Sequence, residues 1–199
     1  WNNAGTGHSA LCELNYTPQR PDGSIATESA IAVNEQFQVS RQFWTYLVTH
    51  KMGPNPQSFI HASPHMSFVW GQENVEYLRS RFEALKDHPL FLGLEFSEDP
   101  MTIASWAPLL IDGRHKGEPL AATRFASGSD VDFGALSRSL LERLSSAGAR
   151  IMSNHRVTSL TKKPSGEWLV SLRSEIGHTP SEVTAPFVFV GAGGISLNL

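Results

Sequence analysis

The chain has 199 residues, 40% of them hydrophobic, with a formal net charge of −3. That length suits one large domain or two small ones and can bury a core. The near-balanced charge excludes the basic excess of a nucleic-acid surface, so no nucleic-acid partner is expected.

Residues 1–23 read as loop. They open with "WNNAGTGHSALCELNYTP" and end in the turn "RPDGS". The stretch Asn-Ala-Gly-Thr-Gly-His-Ser is rich in groups that let a backbone approach a ligand, and its amides suit anionic oxygens. A helix follows, opened by Thr27 and Glu28. Its apolar stripe is Val33, Phe37, Trp44, Leu47 and Val48, and "MGPNP" closes it. "QSFIHAS" and "HMSFVWG" read as two strands around Pro64. A second helix carries Val75, Leu78, Phe82 and Leu85 on one face. "HPLFLGLEFSED" returns to extended structure, and "EDPMTIASWAPLL" is a short helix or turn. "EPLAATRFASG" is a strand. Asp132 then caps a third helix, with Phe133, Leu136, Leu140 and Leu144 on its face and Gly148 at its end. Four extended segments close the chain: 150–154, 157–162, 167–173 and 183–190. The middle pair is a hairpin around "KKPSGE".

The organisation is mixed helix and strand, α+β with α/β character. It divides into a loop segment 1–23, a mixed segment 24–130, and a helix with strands over 131–199. The last strand, "FVFV", is continuously apolar, as a strand buried on both faces would be. It runs into Gly191-Ala192-Gly193-Gly194, a strand-end glycine turn of the kind that receives phosphate at a helix N-terminus. The third glycine of G-x-G-x-x-G would fall on Ser196, so the fingerprint is incomplete.

Other constellations carry less. Cys12 is the only cysteine, which rules out an internal disulfide and fits a reducing compartment. His61 and His65 have helical metal-ligand spacing, but Pro64 interrupts it, and no metal is expected. No G-x-S-x-G elbow is present. No apolar run reaches the length of a membrane span, and no leader pattern is visible. Trp44, Trp70 and Trp106 read as core. Arg124 reads as a solvated strand-edge charge, or more sharply as a carboxylate clamp. The chain begins with Trp1 rather than Met and stops after a glycine turn, so we expect a piece of a longer protein.

Taken together, "WNNAGTGHSALCELNYTP", "RQFW", "PHMSFVWG", "SWAPL", "GSDVDFG" and "FVFVGAGG" resemble the malate:quinone oxidoreductases along essentially the whole chain. That family is similar in fold to D-amino-acid oxidase and L-2-hydroxyglutarate dehydrogenase, two-domain FAD-dependent oxidoreductases. The resemblance implies that this chain holds most of the substrate domain with flanking strands of the FAD domain. It also implies FAD as cofactor, oxidation of (S)-malate to oxaloacetate, and transfer of electrons to a membrane quinone.

By the same resemblance, Asn3, Ala4, Gly5, Thr6, Gly7, His8 and Ser9 form a flavin-facing loop. Gly191, Ala192, Gly193 and Gly194 form the second flavin contact, and the backbone of Val157 meets adenine. The base that takes the malate hydroxyl proton is His8 or His65, and Arg124 is a candidate for a substrate carboxylate. The family's N-terminal G-x-G-x-x-G turn has no counterpart here. Peripheral attachment to the cytoplasmic face of the inner membrane is expected for the whole protein. For the isolated piece we expect weak or no FAD binding and self-association through unpaired strand edges. A related FAD-dependent 2-hydroxyacid dehydrogenase and a non-catalytic α/β interaction domain are the alternatives.

Overall fold

The computed structural model describes residues 5–7 and 9–193. Asn3, Ala4, His8 and Gly194, four of the expected site residues, lie outside them. The chain divides into two compact units, residues 1–144 and 145–199.

The first unit is built on two small antiparallel sheets. In one, β6 (Ser129–Val131) is the central strand, flanked by β1 (Thr6–Gly7) and β2 (Ile60–Ala62). The register sets Thr6 opposite Asp130 and Gly7 opposite Ser129. Loop segment 1–23 is thus no free loop: two of its residues are strand. In the other sheet, β5 (Leu120–Phe125) is central, between β3 (His65–Trp70) and β4 (Leu94–Ser97).

Period-two alternation splits this second sheet into two faces. His65, Ser67 and Val69 of β3 point to one side with Ala121 and Thr123 of β5, and all five are buried. Helix α2 (Gln72–Leu85) covers that side through Val75 and Leu78. The opposite side carries Leu120 and Ala122, with Met66 and Phe68 half-buried beside them. It is covered by α3 (Pro100–Trp106), whose Ile103 is fully enclosed. Asp99 caps α3, accepting from the Met101 and Thr102 backbone N–H groups at 3.3 and 2.9 Å.

Helix α1 (Glu28–Thr49) follows the expected stripe, and Phe37 and Leu47 are buried on it. Thr27 stands at its N-cap without a side-chain capping bond. Trp44 packs edge-on against Phe59 and Phe133, at centroid distances of 5.6 and 6.3 Å. Helix α4 (Phe133–Ser146) begins where Asp132 accepts from the Ala135 N–H at 2.8 Å.

Several expectations change. "QSFIHAS" begins with a 3-10 turn over Pro56–Ser58 before β2, because Pro56 removes a ladder donor. "HPLFLGLEFSED" likewise starts as a 3-10 turn over Pro89–Phe91. Trp70 is not core: it lies at the end of β3, over half exposed, with the Arg114 guanidinium 5.3 Å from its ring. Leu144 on α4 is also exposed.

The second unit is a meander of β7 (His155–Lys162), β8 (Trp168–Ser174) and β9 (Pro180–Ala185), with β8 in the middle. The hairpin turn closes through Lys163 N–H to Glu167 O at 2.8 Å, with Gly166 at φ +88°. Residues 150–154 are not a strand: Asn154 sits at φ +55°, which ends any extended run. "FVFV" is not a buried strand either. β9 stops at Ala185, and no strand pairs with residues 187–190 among the described residues. Phe187 and Phe189 are 74% and 85% exposed.

Candidate functional site

The glycines of the first motif are required, first of all, by β6. A Cβ at Gly7 would meet the Ser129 carbonyl oxygen at 2.7 Å and Phe37 Cζ at 3.0 Å. Gly5 sits at φ +77°, where a Cβ would lie 2.7 Å from an Asp130 carboxylate oxygen. The two positions that look like ligand-facing freedom in the sequence are close approaches between backbone segments.

His65 is the hub beneath them, 6% exposed. Its Nδ1 lies 2.9 Å from Ser9 Oγ, and its Nε2 lies 3.0 Å from Ser129 O. The Ser129 N–H also faces Nε2, at 3.3 Å, so with hydrogen on Nε2 the ring donates to Ser129 O and accepts from the Ser9 hydroxyl, and with hydrogen on Nδ1 it donates to Ser9 Oγ and accepts from the Ser129 N–H. Gly128 packs flat on the ring, with room for no side chain. His65 therefore ties β3, β6 and the N-terminal segment together, and both its ring nitrogens are occupied inside the protein.

The segment that leaves β1 is held just as closely. Ala10 adopts φ +60°, a left-handed conformation uncommon for a residue with a Cβ. Asn34 of α1 donates to Ser9 O at 3.1 Å. Arg81 of α2 donates through Nη2 to Ala10 O at 3.1 Å and through Nε to Thr17 Oγ1 at 2.9 Å. Ser67 of β3 donates to Leu11 O at 2.7 Å.

Arg81 is fully buried, has no carboxylate partner among the described residues, and its Nη1 has no hydrogen-bond partner among them. Burial pushes its pKa down, with Tyr77 and Cys12 pulling it back. Burial also pushes the Cys12 thiol up, against the lowering effect of the Met66 backbone N–H. Sequence reading passed over Arg81 and Asn34 as polar. The signal was spacing: Arg81 falls between Leu78 and Leu85 on the buried stripe of α2, and Asn34 lies between Ala30 and Phe37 on that of α1.

Arg124 stands on the central strand of its sheet, not at an edge. Its Nη1 pairs with Glu95, directly opposite on β4, at 2.8 Å, and its guanidinium lies 5.9 Å from the Trp106 ring centre. His61 is exposed on β2, whereas His65 is buried on β3. No group of three or more His, Cys, Asp or Glu side chains suited to a metal exists among the described residues. Gly5, Thr6, Gly7, Ser9, His65 and Arg124 belong to the first unit. Val157, Gly191, Ala192 and Gly193 belong to the second. Val157 is half-buried on β7, opposite Leu172 and next to a bulge before Ser159. Gly191 to Gly193 are exposed.

The surroundings of the two glycine stretches differ. The outer edge of β1 carries no strand among the described residues, while the Gly7 carbonyl already accepts from the Ser9 N–H at 2.8 Å. With the Asp130 carboxylate beside Gly5, this end suits hydroxyl and ring N–H groups rather than phosphate. The glycine turn has open space instead: a Cβ at Gly193 would touch nothing within 4 Å.

A sheet-and-helix unit with a tightly held glycine segment, together with a strand meander that ends before an exposed glycine run, defines an α+β protein. Comparison with known proteins makes this specific. The family model of malate:quinone oxidoreductase matches residues 1–199, and the chain belongs to that family. It is 57% identical over 199 residues to a probable malate:quinone oxidoreductase of Leifsonia xyli subsp. xyli. It is 50% identical over 200 residues to one of Rhodopseudomonas palustris, and 51% identical over 199 residues to one of Geobacillus sp.. Each match takes in all of this chain, which spans about two fifths of those relatives' length.

Proposed function

We propose that the protein to which this chain belongs is an FAD-dependent malate dehydrogenase that oxidises (S)-malate to oxaloacetate and passes the electrons to a membrane quinone. The observation that carries the reading is the family match over every residue of the chain. In this reading the architecture is that of two-domain flavoproteins similar to D-amino-acid oxidase, and the chain supplies mostly substrate domain.

The chemistry a bound flavin supplies is acceptance of a hydride equivalent from C2 of malate. The protein's part is to position, to exclude water and to take the hydroxyl proton. We assign FAD contact to the Asn3–Ser9 segment, to the backbone of Val157 and to Gly191–Gly194. Thr6 supplies a hydroxyl on the free edge of β1. We assign the proton to His8, because both ring nitrogens of His65 are engaged by Ser9 and Ser129.

The acceptor is lipid-soluble, so we place the whole protein at the cytoplasmic face of the inner membrane, bound peripherally. No helix among the described residues is long and apolar enough to cross a membrane.

The test is the purified full-length protein. It is expected to show the flavin absorption bands and to reduce a soluble quinone analogue with malate, faster than with 2-hydroxyglutarate or lactate. A colourless protein, or one inert towards malate, overturns the reading. Preference for 2-hydroxyglutarate would replace the substrate and keep the class.

A further inference from the structure

Three consecutive carbonyls, those of Ser9, Ala10 and Leu11, are each held by a buried side chain of a different element. Asn34 on α1 takes the first, Arg81 on α2 the second, and Ser67 on β3 the third. Arg81 also reaches Leu11 O, at 3.5 Å. The three donors are no more than 5% exposed. Between them Ala10 is held at φ +60°, and a non-glycine residue stays there only where its surroundings over-determine it.

Arg81 is the costly member of this set. A guanidinium buried without a counter-charge is expensive, and an apolar side chain of similar volume would fill the place more cheaply. What an apolar side chain cannot supply is a fork of fixed geometry. Nη2 grips Ala10 O while Nε grips Thr17 Oγ1, which spaces the two ends of the 10–17 segment against each other. The gripped segment runs directly into β1, through Ser9 N–H to Gly7 O at 2.8 Å.

We propose that Arg81 is a positioning residue: by fixing the Ser9–Leu11 backbone, which bonds to Gly7 O, it sets how Thr6 is presented on the edge of β1 that no described strand covers, where the cofactor is read to lie. The second half of this rests on the flavin reading above; the first half does not.

The experiment uses the full-length protein and Arg81→Lys, which keeps the charge and loses the fork. The first readout is backbone amide hydrogen exchange, measured on protein stripped of flavin. Exchange over residues 6–12 is expected to rise about tenfold or more, with α2 and β5 unchanged. The second readout is the flavin spectrum and kinetics of the loaded protein. The flavin band is expected to shift and kcat to fall about tenfold or more, with malate KM changed by less than about twofold.

Unchanged exchange over 6–12, or a rise spread evenly through residues 9–144, overturns the positioning role. A confined rise with wild-type spectrum and kcat overturns the link to the cofactor. A confined rise in a protein that never carried flavin upholds the positioning and overturns the flavin reading instead. Should Arg81→Lys fail to fold, Ser67→Ala removes the donor to one carbonyl and carries the same test, with the rise expected over residues 10–12.

Discussion

Gly128 and His65 lie in such close contact that a Cβ on Gly128 would come within 2.5 Å of the ring's Cδ2, and it would also collide with Ser63 O. Gly128 is not at positive φ, so the requirement is one of space alone. Gly128→Ala must displace either the buried ring or the Ser63 backbone, whose N–H donates to Gly128 O at 3.0 Å. We expect a loss of about 2 kcal/mol or more in the stability of residues 9–144, read by denaturant unfolding. An unchanged midpoint would mean that His65 can retreat without strain.

The Ser9–His65 bond gives a finer probe. Ser9→Ala leaves the Nδ1 of a buried ring without its partner and is expected to cost about 1–2 kcal/mol. His65→Asn should cost more, because it also loses the bond to Ser129. Combined in a double-mutant cycle, the two changes should couple by about 1 kcal/mol, since they share one bond. Strict additivity would show that the contact contributes nothing.

Arg124 already has a carboxylate partner in Glu95, on a partly exposed face. Exposed and half-exposed pairs contribute little, so Glu95→Gln should lower stability by less than about 1 kcal/mol. In the full-length enzyme we expect Arg124→Met to leave malate KM within about twofold of wild type. A large rise in KM confined to this variant would return Arg124 to the role of substrate clamp.

Asp99 supplies a pH-dependent contribution. Hydrogen bonds from the Thr102 side chain first, then from the Thr102 and Met101 backbone, hold its carboxyl below the usual carboxylate value. A depressed folded-state pKa means that the stabilisation is complete above the unfolded value of about 3.9 and is lost as pH falls through the lower folded value. Wild-type stability should therefore fall more steeply than that of Asp99→Asn between about pH 4 and about pH 2. Parallel thermal-unfolding curves for the two proteins over that window would show that the cap does not titrate as described.

Phe187 and Phe189 lie exposed beyond the last paired strand. Apolar runs without a partner invite association. The isolated 199-residue chain is expected to sediment as a mixture of monomer and larger species, with Phe187→Ser and Phe189→Ser together shifting it to monomer. A monomeric parent chain would rule out association through this run.

The helices were legible because an apolar stripe at helical spacing has few other solutions. Phe37 and Leu47 on α1, Val75 and Leu78 on α2, and Leu136 on α4 all face inward as their spacing implies. The central pairing of β3 and β5 was also readable as two strands, though not as neighbours, because register depends on contacts far apart in the chain. Trp70 misled because an aromatic residue at a strand end packs as well under an arginine as in a core. "FVFV" misled because strand propensity says nothing about whether a partner strand stands beside it. The buried polar grip on the Ser9–Thr17 segment escaped for a different reason. Arg81 and Asn34 are polar, and only the carbonyls they hold explain their burial.

The His65 hub joins residues 56 and 64 positions apart in sequence, from Ser9 on one side and to Ser129 on the other. Closing such long loops is entropically slow, so these contacts form after local helices and hairpins are in place. On the ribosome, the glycine segment emerges before β6, and its pairing with that strand waits until β6 has been made. Synthesis of more than a hundred further residues separates the two events, at about 5–20 residues per second. For those seconds the segment lacks its native ladder partner. β1 can take its place in the sheet only once β6 has been made.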